Sequence, residues 1–271
     1  MRSTVRTLPR PLRLAALALC LLGAARGWAE TAGRESPAEA ARWHPSQQRT
    51  YVVSGGPGGT LRLGNVRWGF RPLADGRREA IFREAEFSER ALGDVYFVLE
   101  GKGPFGLAAH AQLYFEFAPT APVRAGREAS PGLVLSVDAR LPKGGRFTLF
   151  DGVFRRSYGL VYQLTSWQDA EQQAERHHGR LTRHRLRLTP AQKHGLLREA
   201  VAGAVADRSG ERFSTLTNNC YSNQLALLNR VLPEAQQLRR SVLGGLLPSP
   251  LAWLPPAAPV LLGLKGLLER D

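Results

Sequence analysis

A length of 271 residues suits one substantial domain with short extensions, and a count of only two cysteines excludes a disulfide-rich framework. The formal net charge of +14 fits either a partner that carries anionic phosphates or an arginine-rich solvated surface. Because the N-terminus carries an export signal, no nucleic acid partner is expected, and anionic lipid headgroups are the more natural partner.

The first 29 residues have the three parts of a secretory signal peptide. Arginines at positions 2, 6, 10 and 13 precede an apolar run over 14–22, and Gly27 and Ala29 suit cleavage after Ala29. The run is short for a membrane span, although an uncleaved anchor remains an alternative. Removal of residues 1–29 takes away Cys20 and five arginines, which lowers the formal charge to +9 and leaves Cys220 as the single cysteine. The sequence therefore predicts a periplasmic or cell-envelope protein with one thiol.

The N-terminal part of the exported chain is predicted to be rich in strands. Residues 30–48 are polar and are predicted as a loose lead-in to one domain over 49–235. Two strands follow, Thr50–Val53 and Leu61–Phe70, separated by a glycine-rich turn. The next segment, Glu79–Arg90, fits either a short helix or an edge strand.

Four further strand patterns come next, and they contain most of the candidate site residues. Apolar runs and period-two alternation predict strands over Asp94–Leu99, His110–Phe117, Gly132–Arg140 and Leu160–Leu164. The strand over 132–140 is expected to lie antiparallel to the strand that His110 begins. Its alternation places Ser136, Asp138 and Arg140 on one face.

Helical patterns dominate the rest of the domain. Residues 167–178 are charged and helical in character, and 183–188 alternates like a strand with one solvated face. Thr189 followed by Pro190 is a helix start, and that helix reaches about Ala206. A last helix begins near Cys220 and buries Leu225, Leu228 and Leu232. These elements predict an α+β fold, with an antiparallel sheet packed against helices and Cys220 at a helix N-terminus.

The C-terminal segment, 236–271, is a proline-broken apolar tail. Residues 242–264 carry no charge but include five prolines, so a regular membrane-spanning helix is the least favoured interpretation. The tail is predicted either to touch a membrane surface or to cover the core.

No cofactor and no metal ion are expected. The segment from Gly101 to Gly106 has the letters of a dinucleotide fingerprint, but a strand follows it, so no helix N-terminus is available for a pyrophosphate. His177, His178, His184 and His194 show no ligand spacing and lie among arginines, which favours a solvated basic face.

Cys220 and His110 carry the chemistry that the sequence predicts. A helix N-terminus stabilises negative charge and favours the thiolate, and His110 is the candidate base. A third polar group usually orients such a histidine, and Asp138 or Ser136 is placed to do so. A buried, inert structural cysteine is the alternative.

An ordered set of segments resembles the Lnb N-terminal periplasmic domain family over roughly residues 60–230. These segments are Asn65-Val-Arg67 with Trp68, Ala109-His110-Ala-Gln-Leu-Tyr-Phe-Glu-Phe117, Ser136-Val-Asp-Ala-Arg140 and Ser214-Thr-Leu-Thr-Asn-Asn-Cys220. The resemblance implies a permuted papain-like (NlpC-type) fold, in which the histidine precedes the cysteine. It implies Cys220 as a nucleophile that becomes a thioester and His110 as the base, with Asp138 where members often have glutamate. Tyr221 departs from the threonine that is common after the cysteine.

The family takes its name from a bacterial lipoprotein N-acyltransferase. The resemblance therefore implies a thiol acyltransferase that moves an acyl chain from a phospholipid donor to an amine, such as a lipoprotein N-terminus, at a membrane surface. A multi-helix membrane part is expected of the full-length transferase, and this sequence predicts only the proline-broken apolar tail in its place. Two alternatives remain: a periplasmic cysteine hydrolase (a peptidase, an amidase or a lipid deacylase) and a non-catalytic envelope protein.

Overall fold

A computed structural model describes residues 34–102, 108–148, 150–155, 157–238, 241–242, 247–248 and 255–269. The predicted signal peptide, most of the glycine-rich segment before His110 and the middle of the apolar tail lie outside these ranges.

Most of the described strands belong to one sheet. They are β1 (Tyr51–Gly55), β2 (Thr60–Pro72), β3 (Arg78–Ser88), β4 (Leu92–Lys102), β5 (Ala108–Phe117), β6 (Val123–Ala125), β7 (Glu128–Ser130), β8 (Gly132–Arg140), β9 (Gly159–Ser166) and β10 (Arg180–Arg185). Their order across the sheet is β10-β4-β5-β8-β9-β2-β3-β6-β7, with β1 also paired to β2. Two short strands, β11 (Ser241–Val242) and β12 (Leu247–Pro248), pair with each other.

The described helices are α1 (Pro37–Ala40), α2 (Trp167–Arg176), α3 (Pro190–Val205), α4 (Cys220–Val231) and α5 (Ala258–Leu264). A π-helical turn covers Asp151–Arg155, and 3₁₀ turns cover Glu89–Ala91, Glu234–Gln236 and Pro255–Ala257. The α3 prediction is confirmed with its capping box, in which Thr189 and Gln192 bond each other's backbone N–H groups.

The sheet pairing confirms the α+β prediction of a mostly antiparallel sheet. Described strand pairs are antiparallel except β2 and β9, which lie parallel at Arg67 and Thr165. The predicted antiparallel contact of β5 with β8 is present, with Gln112 opposite Ser136. The ambiguous segment 79–90 is mainly β3, and it is not an edge strand because β2 and β6 flank it. The strand predicted over 183–188 lies three residues earlier, as β10. Just past its end, the Leu186 N–H still donates to the Val95 carbonyl of β4 at 2.8 Å, and the Leu186 side chain is buried in the core.

Helices cover both faces of the sheet around its centre. On one face, Leu113, Phe115 and Leu135 join the main core with residues of α3 and α4. On the other face, Tyr114 and Val134 pack with residues of α2. The strands β5 and β8 therefore lie between helical layers, and polar residues on them such as Gln112 and Ser136 are buried.

Residues 34–48, predicted as part of a loose lead-in, make specific contacts with the end of β8. The carboxylate of Glu35 forms a buried ion pair with Arg140 at 2.6 Å. The Arg140 guanidinium also lies 4.9 Å from the ring centre of Trp43. Trp43 forms an isolated bridge to Pro142. Burial of a paired charge orders a segment because breaking the pair leaves an uncompensated ion.

The described end of the apolar tail covers the core. Ala258, Leu262 and Leu267 are buried, and Leu268 forms a bridge to Leu186 beside β10. Among the described residues, no helix has both the length and the apolar character needed to cross a membrane. Residues 255–269 thus follow the core-covering prediction, whereas the segment around Trp253 lies outside the described ranges.

Candidate functional site

The thiol begins a helix whose first turn is held by reciprocal hydrogen bonds. Cys220 is the first residue of α4, and Asn219 is its N-cap. Asn219 Oδ1 accepts from the Ser222 N–H at 2.8 Å, and Ser222 Oγ accepts from the Asn219 N–H at 3.0 Å. The amide of Asn219 also donates to the Thr215 carbonyl at 2.5 Å. These bonds fix the thiol at the positive end of the α4 dipole, as predicted from the sequence.

Three polar side chains on β5 and β8 form what we call the histidine cluster: His110, Ser136 and Asp138. Ser136 Oγ lies 2.7 Å from His110 Nε2 and donates its proton to Asp138 Oδ2, also at 2.7 Å. Asp138 Oδ1 is 3.4 Å from the same His110 nitrogen. Because a hydroxyl has one proton to donate, Ser136 must accept from Nε2–H. This arrangement leaves Nδ1 as the ring nitrogen without a proton in the neutral form.

The thiol interacts with the histidine cluster, and its pKa responds. Burial raises the pKa of Cys220, whereas the charge of His110, a hydrogen bond with His110 and the backbone N–H of Ala111 lower it. The lowering effects prevail, so the pKa lies below the ordinary thiol value, although the carboxylate of Asp138 opposes them. A depressed pKa increases the thiolate fraction at neutral pH, which is the nucleophilic form.

The structure thus brings together the four site residues that the sequence singled out. Cys220 and His110, 110 positions apart, interact across the start of α4 and β5. The sequence left Ser136 and Asp138 as alternatives for the orienting group, and the structure puts them in series, with Ser136 next to the ring. Their catalytic roles remain predictions.

A second set of polar residues, absent from the predicted site, lies beside the first. We call Arg67, Gln163 and Asp169 the arginine cluster. Arg67 donates from Nε and Nη2 to the two Asp169 oxygens, each at 2.8 Å, and from Nη1 to Gln163 Oε1 at 2.6 Å. Arg67 and Asp169 line the same cavity of about 50 Å³ as His110, Ser136 and Asp138. The motif around Asn65 includes Arg67 but carries no signal for its distant partners.

Other residues of this cavity refine the sequence interpretation. His177, assigned from the sequence to a solvated face, is hydrogen-bonded through Nδ1 to the buried Glu100 at 2.7 Å. Glu100 is the cross-strand partner of His110. Gln112 Oε1 is buried, and no hydrogen-bond partner for it is found among the described residues. The cavity is rich in acceptors and is suited to hydrogen-bond donors such as water.

Tyr221, the departure from the family pattern, occupies a core position. Its side chain is fully buried, and its ring meets Phe97 edge-on with centroids 6.2 Å apart. Burial raises the pKa of its hydroxyl. The side chain of Tyr221 therefore points away from the solvent and into the hydrophobic core, which accounts for the tolerance of a large aromatic after Cys220.

Comparison with known families gives the chain its assignment. Residues 82–254 match the Lnb N-terminal periplasmic domain. The chain belongs to this family. The match includes Cys220 and the whole histidine cluster, while Arg67 and the Asn65-Val-Arg67 motif precede it. Membership supports a periplasmic location. A search of curated proteins and a search of solved structures each found no match.

Proposed function

We propose that this protein is a cysteine-dependent acyltransferase of the cell envelope, with a phospholipid as acyl donor and an amine as acceptor. The observation that carries the proposal is the contact of a helix-capped thiol with a histidine whose far nitrogen is held by Ser136 and Asp138. A depressed thiol pKa and a sheltered, oriented base are the features expected of an activated nucleophile.

In the first half-reaction, His110 Nδ1 accepts the proton of Cys220 and the thiolate attacks the carbonyl carbon of a phospholipid ester. N–H groups of the first turn of α4 and of Ala111 are suited to stabilise the developing oxyanion. The tetrahedral intermediate collapses, the ester C–O bond breaks, and the imidazolium returns the proton to the departing oxygen. A lysophospholipid leaves, and the acyl chain remains as a Cys220 thioester.

In the second half-reaction, a neutral amine attacks the thioester carbonyl. His110 takes a proton from the attacking nitrogen and delivers it to the departing sulfur, which regenerates the thiol and releases an amide. A lipoprotein N-terminus is such an amine, in keeping with the namesake of the family. Water in place of the amine would give the hydrolase reaction with the same residues.

The proposed fold type is a permuted papain-like (NlpC-type) arrangement. The supporting features are a cysteine at the start of a helix, a histidine on an adjoining central strand and polar residues on the next strand. The histidine also comes before the cysteine in the chain, as that permutation requires.

Intact-protein mass spectrometry after incubation with phospholipid tests the proposal. Wild type is expected to gain a hydroxylamine-labile acyl mass, while Cys220→Ser and His110→Ala are expected to gain none. Addition of a lipopeptide with a free α-amino group should discharge the adduct as an amide, whereas discharge only as a free fatty acid would identify a hydrolase. No adduct, together with a Cys220 inert to a small alkylating reagent, would contradict an enzymatic role.

A further inference from the structure

Three apolar side chains in the β8–β9 connection and in the segment before Cys220 are exposed rather than buried. Phe147 is 44% exposed, Phe150 is 59% exposed and Leu216 is 43% exposed. Leu216 lies four residues before Cys220, in the segment that leads into α4. We call these three residues the apolar rim. Large exposed apolar groups next to one another mark interaction sites more often than isolated ones do.

Backbone and ring contacts connect the apolar rim to the segment that precedes Cys220. The Thr215 N–H donates to the Gly152 carbonyl at 3.0 Å, which joins the β8–β9 connection to the residues before Cys220. The ring of Phe147 lies 5.3 Å from that of Tyr158 and 6.1 Å from that of Phe213. The connection between β8 and β9 is therefore anchored to the residues before Cys220, and Phe150 in it remains exposed.

Exposed cations occupy the same segments as the apolar rim. The exposed residues Lys143, Arg146, Arg155 and Arg212 lie in the same two segments. The Arg155 guanidinium stands 5.4 Å from the ring centre of Phe150. Asp151, the nearest acid in the sequence, accepts from the hydroxyl of Thr148 and pairs with Arg155. Cationic groups around exposed aromatics are typical of surfaces that bind anionic membranes.

We propose that the apolar rim and its surrounding cations dock the protein on an anionic phospholipid bilayer. This inference rests on the proposed function, because it explains how a lipid ester reaches Cys220. Phe150 and Leu216 enter the apolar edge of the leaflet while the arginines and Lys143 meet lipid phosphates. The N-terminus of α4 then faces the interfacial depth at which ester carbonyls lie. The charge pattern favours a bilayer over a protein partner, because a surface of many headgroup phosphates complements several separate cations, such as Lys143, Arg146 and Arg212, together with exposed apolar groups.

This surface differs from the one that the sequence favoured for membrane contact. In the described part of the tail, α5 exposes Val260 and Leu264 but packs Ala258 and Leu262 into the core. Exposed apolar groups thus occur both in the apolar rim and on α5. Substitutions on α5 therefore provide a matched control for substitutions in the rim. The connection that carries Phe147 and Phe150 joins the segment before Cys220 through a backbone hydrogen bond, whereas Leu268, after α5, bridges to Leu186 just past β10.

Hydrogen–deuterium exchange of the protein isolated from the envelope, with and without vesicles, locates the docking surface. Vesicles of phosphatidylethanolamine with phosphatidylglycerol should protect residues 146–155 and 214–218 and leave 258–264 unchanged. Vesicles of phosphatidylcholine alone should protect the rim less. This readout is independent of any anchoring by the N-terminal segment. Protection confined to 258–264, or none in either place, would overturn the proposal.

Paired variants measure the contribution of the rim. We expect Phe150→Ser with Leu216→Ser to weaken vesicle binding about tenfold or more, and Val260→Ser with Leu264→Ser to change it less than about twofold. Lys143→Glu with Arg146→Glu should weaken binding to anionic vesicles, whereas Arg124→Glu with Arg127→Glu, on the β6–β7 hairpin, should not. Equal effects of the rim and control pairs would contradict the inference.

The docking surface and the proposed chemistry can fail separately. Cys220→Ala should dock like wild type, because the thiol is not part of the rim. Docking of wild type without any thioester would retain the surface and refute the acyltransferase. If a thioester forms in detergent but the rim variants bind vesicles as well as wild type, the proposed enzyme activity stands and the proposed docking surface is refuted.

Discussion

The histidine cluster lines the same cavity as Arg67 and Asp169 of the arginine cluster, but the two clusters differ in burial and in how their hydrogen bonds are arranged. The Arg67 side chain is 6% exposed and that of Asp169 is 1% exposed, and every guanidinium nitrogen has an acceptor. Burial opposes the charge of Arg67, but the Asp169 carboxylate holds its pKa above the ordinary value. No proton of this cluster is free to move without breaking an ion pair.

The histidine cluster is more exposed and its protons are shared. The side chains of His110 and Asp138 are 13% and 30% exposed, and Ser136 bonds to both. One imidazole nitrogen faces this chain of bonds while the ring also interacts with the Cys220 thiol. Polar residues around one cavity thus serve two purposes: a fully buried ion pair joins β2 to α2, and a partly exposed chain of hydrogen bonds orients an imidazole beside a thiol.

Breaking the arginine cluster should give the largest effect on stability. Asp169→Ala leaves the Arg67 guanidinium buried without its counterion, so we expect a loss of about 3–5 kcal/mol in the free energy of unfolding. Urea denaturation measures it. The double change Arg67→Met with Asp169→Leu should recover most of the loss, because no buried charge remains. A loss below about 1 kcal/mol for Asp169→Ala would mean that water reaches Arg67.

Breaking the histidine cluster should instead change thiol reactivity. His110→Ala removes the charge and the hydrogen bond that lower the pKa of Cys220, so the pKa should rise. The thiolate then forms only at higher pH, and alkylation at neutral pH slows about tenfold for each unit of the rise. Stability should fall by only about 1 kcal/mol.

The pH profile of alkylation by a small reagent gives this pKa directly. His177→Gln is the matched control, since His177 lines the same cavity but bonds to Glu100. An unshifted profile for His110→Ala would exclude the proposed activation of the thiol, and an equal shift for His177→Gln would assign the effect to the cavity as a whole.

The two clusters also differ in how far the sequence could predict them. Period-two alternation placed Ser136 and Asp138 on one face of β8, and helix-start chemistry placed Cys220, so local patterns were sufficient there. The pairing of Arg67 with Asp169 joins residues 102 positions apart on β2 and α2. No periodicity carries such a contact, and only the parallel pairing of β2 with β9, whose end starts α2, brings the two together.

Short strands were the other feature that the sequence could not predict. The strands β6 and β7 have three residues each, too few for an alternation to be detected, and both were missed. The β3 segment mixes charged and apolar residues at spacings that fit a helix as well as a strand. Its pairing with β2, a non-local interaction, decides the strand.

A smaller effect is expected at the helix cap. Asn219→Ala removes the acceptor for the Ser222 N–H and should cost about 0.5–2 kcal/mol of stability. Thr189→Ala removes the equivalent acceptor in α3 and should cost a similar amount. Only the Asn219 variant should slow alkylation of Cys220, because only α4 begins at the thiol. Equal alkylation rates in the two variants would show that the cap supports the fold without positioning the nucleophile.

The smallest effect should come from the hydroxyl that connects histidine and carboxylate. Ser136→Ala leaves Asp138 Oδ1 at 3.4 Å from His110 Nε2, so the ring keeps a weaker acceptor on that side. We expect a stability loss of about 1 kcal/mol or less and a shift of the alkylation profile smaller than that of His110→Ala. Thioester formation should suffer more than alkylation, because acyl transfer needs the ring to take and return a proton in one orientation. Equal losses in alkylation and in thioester formation would mean that Ser136 affects only the thiol pKa. Asp138 would then be sufficient to orient the imidazole.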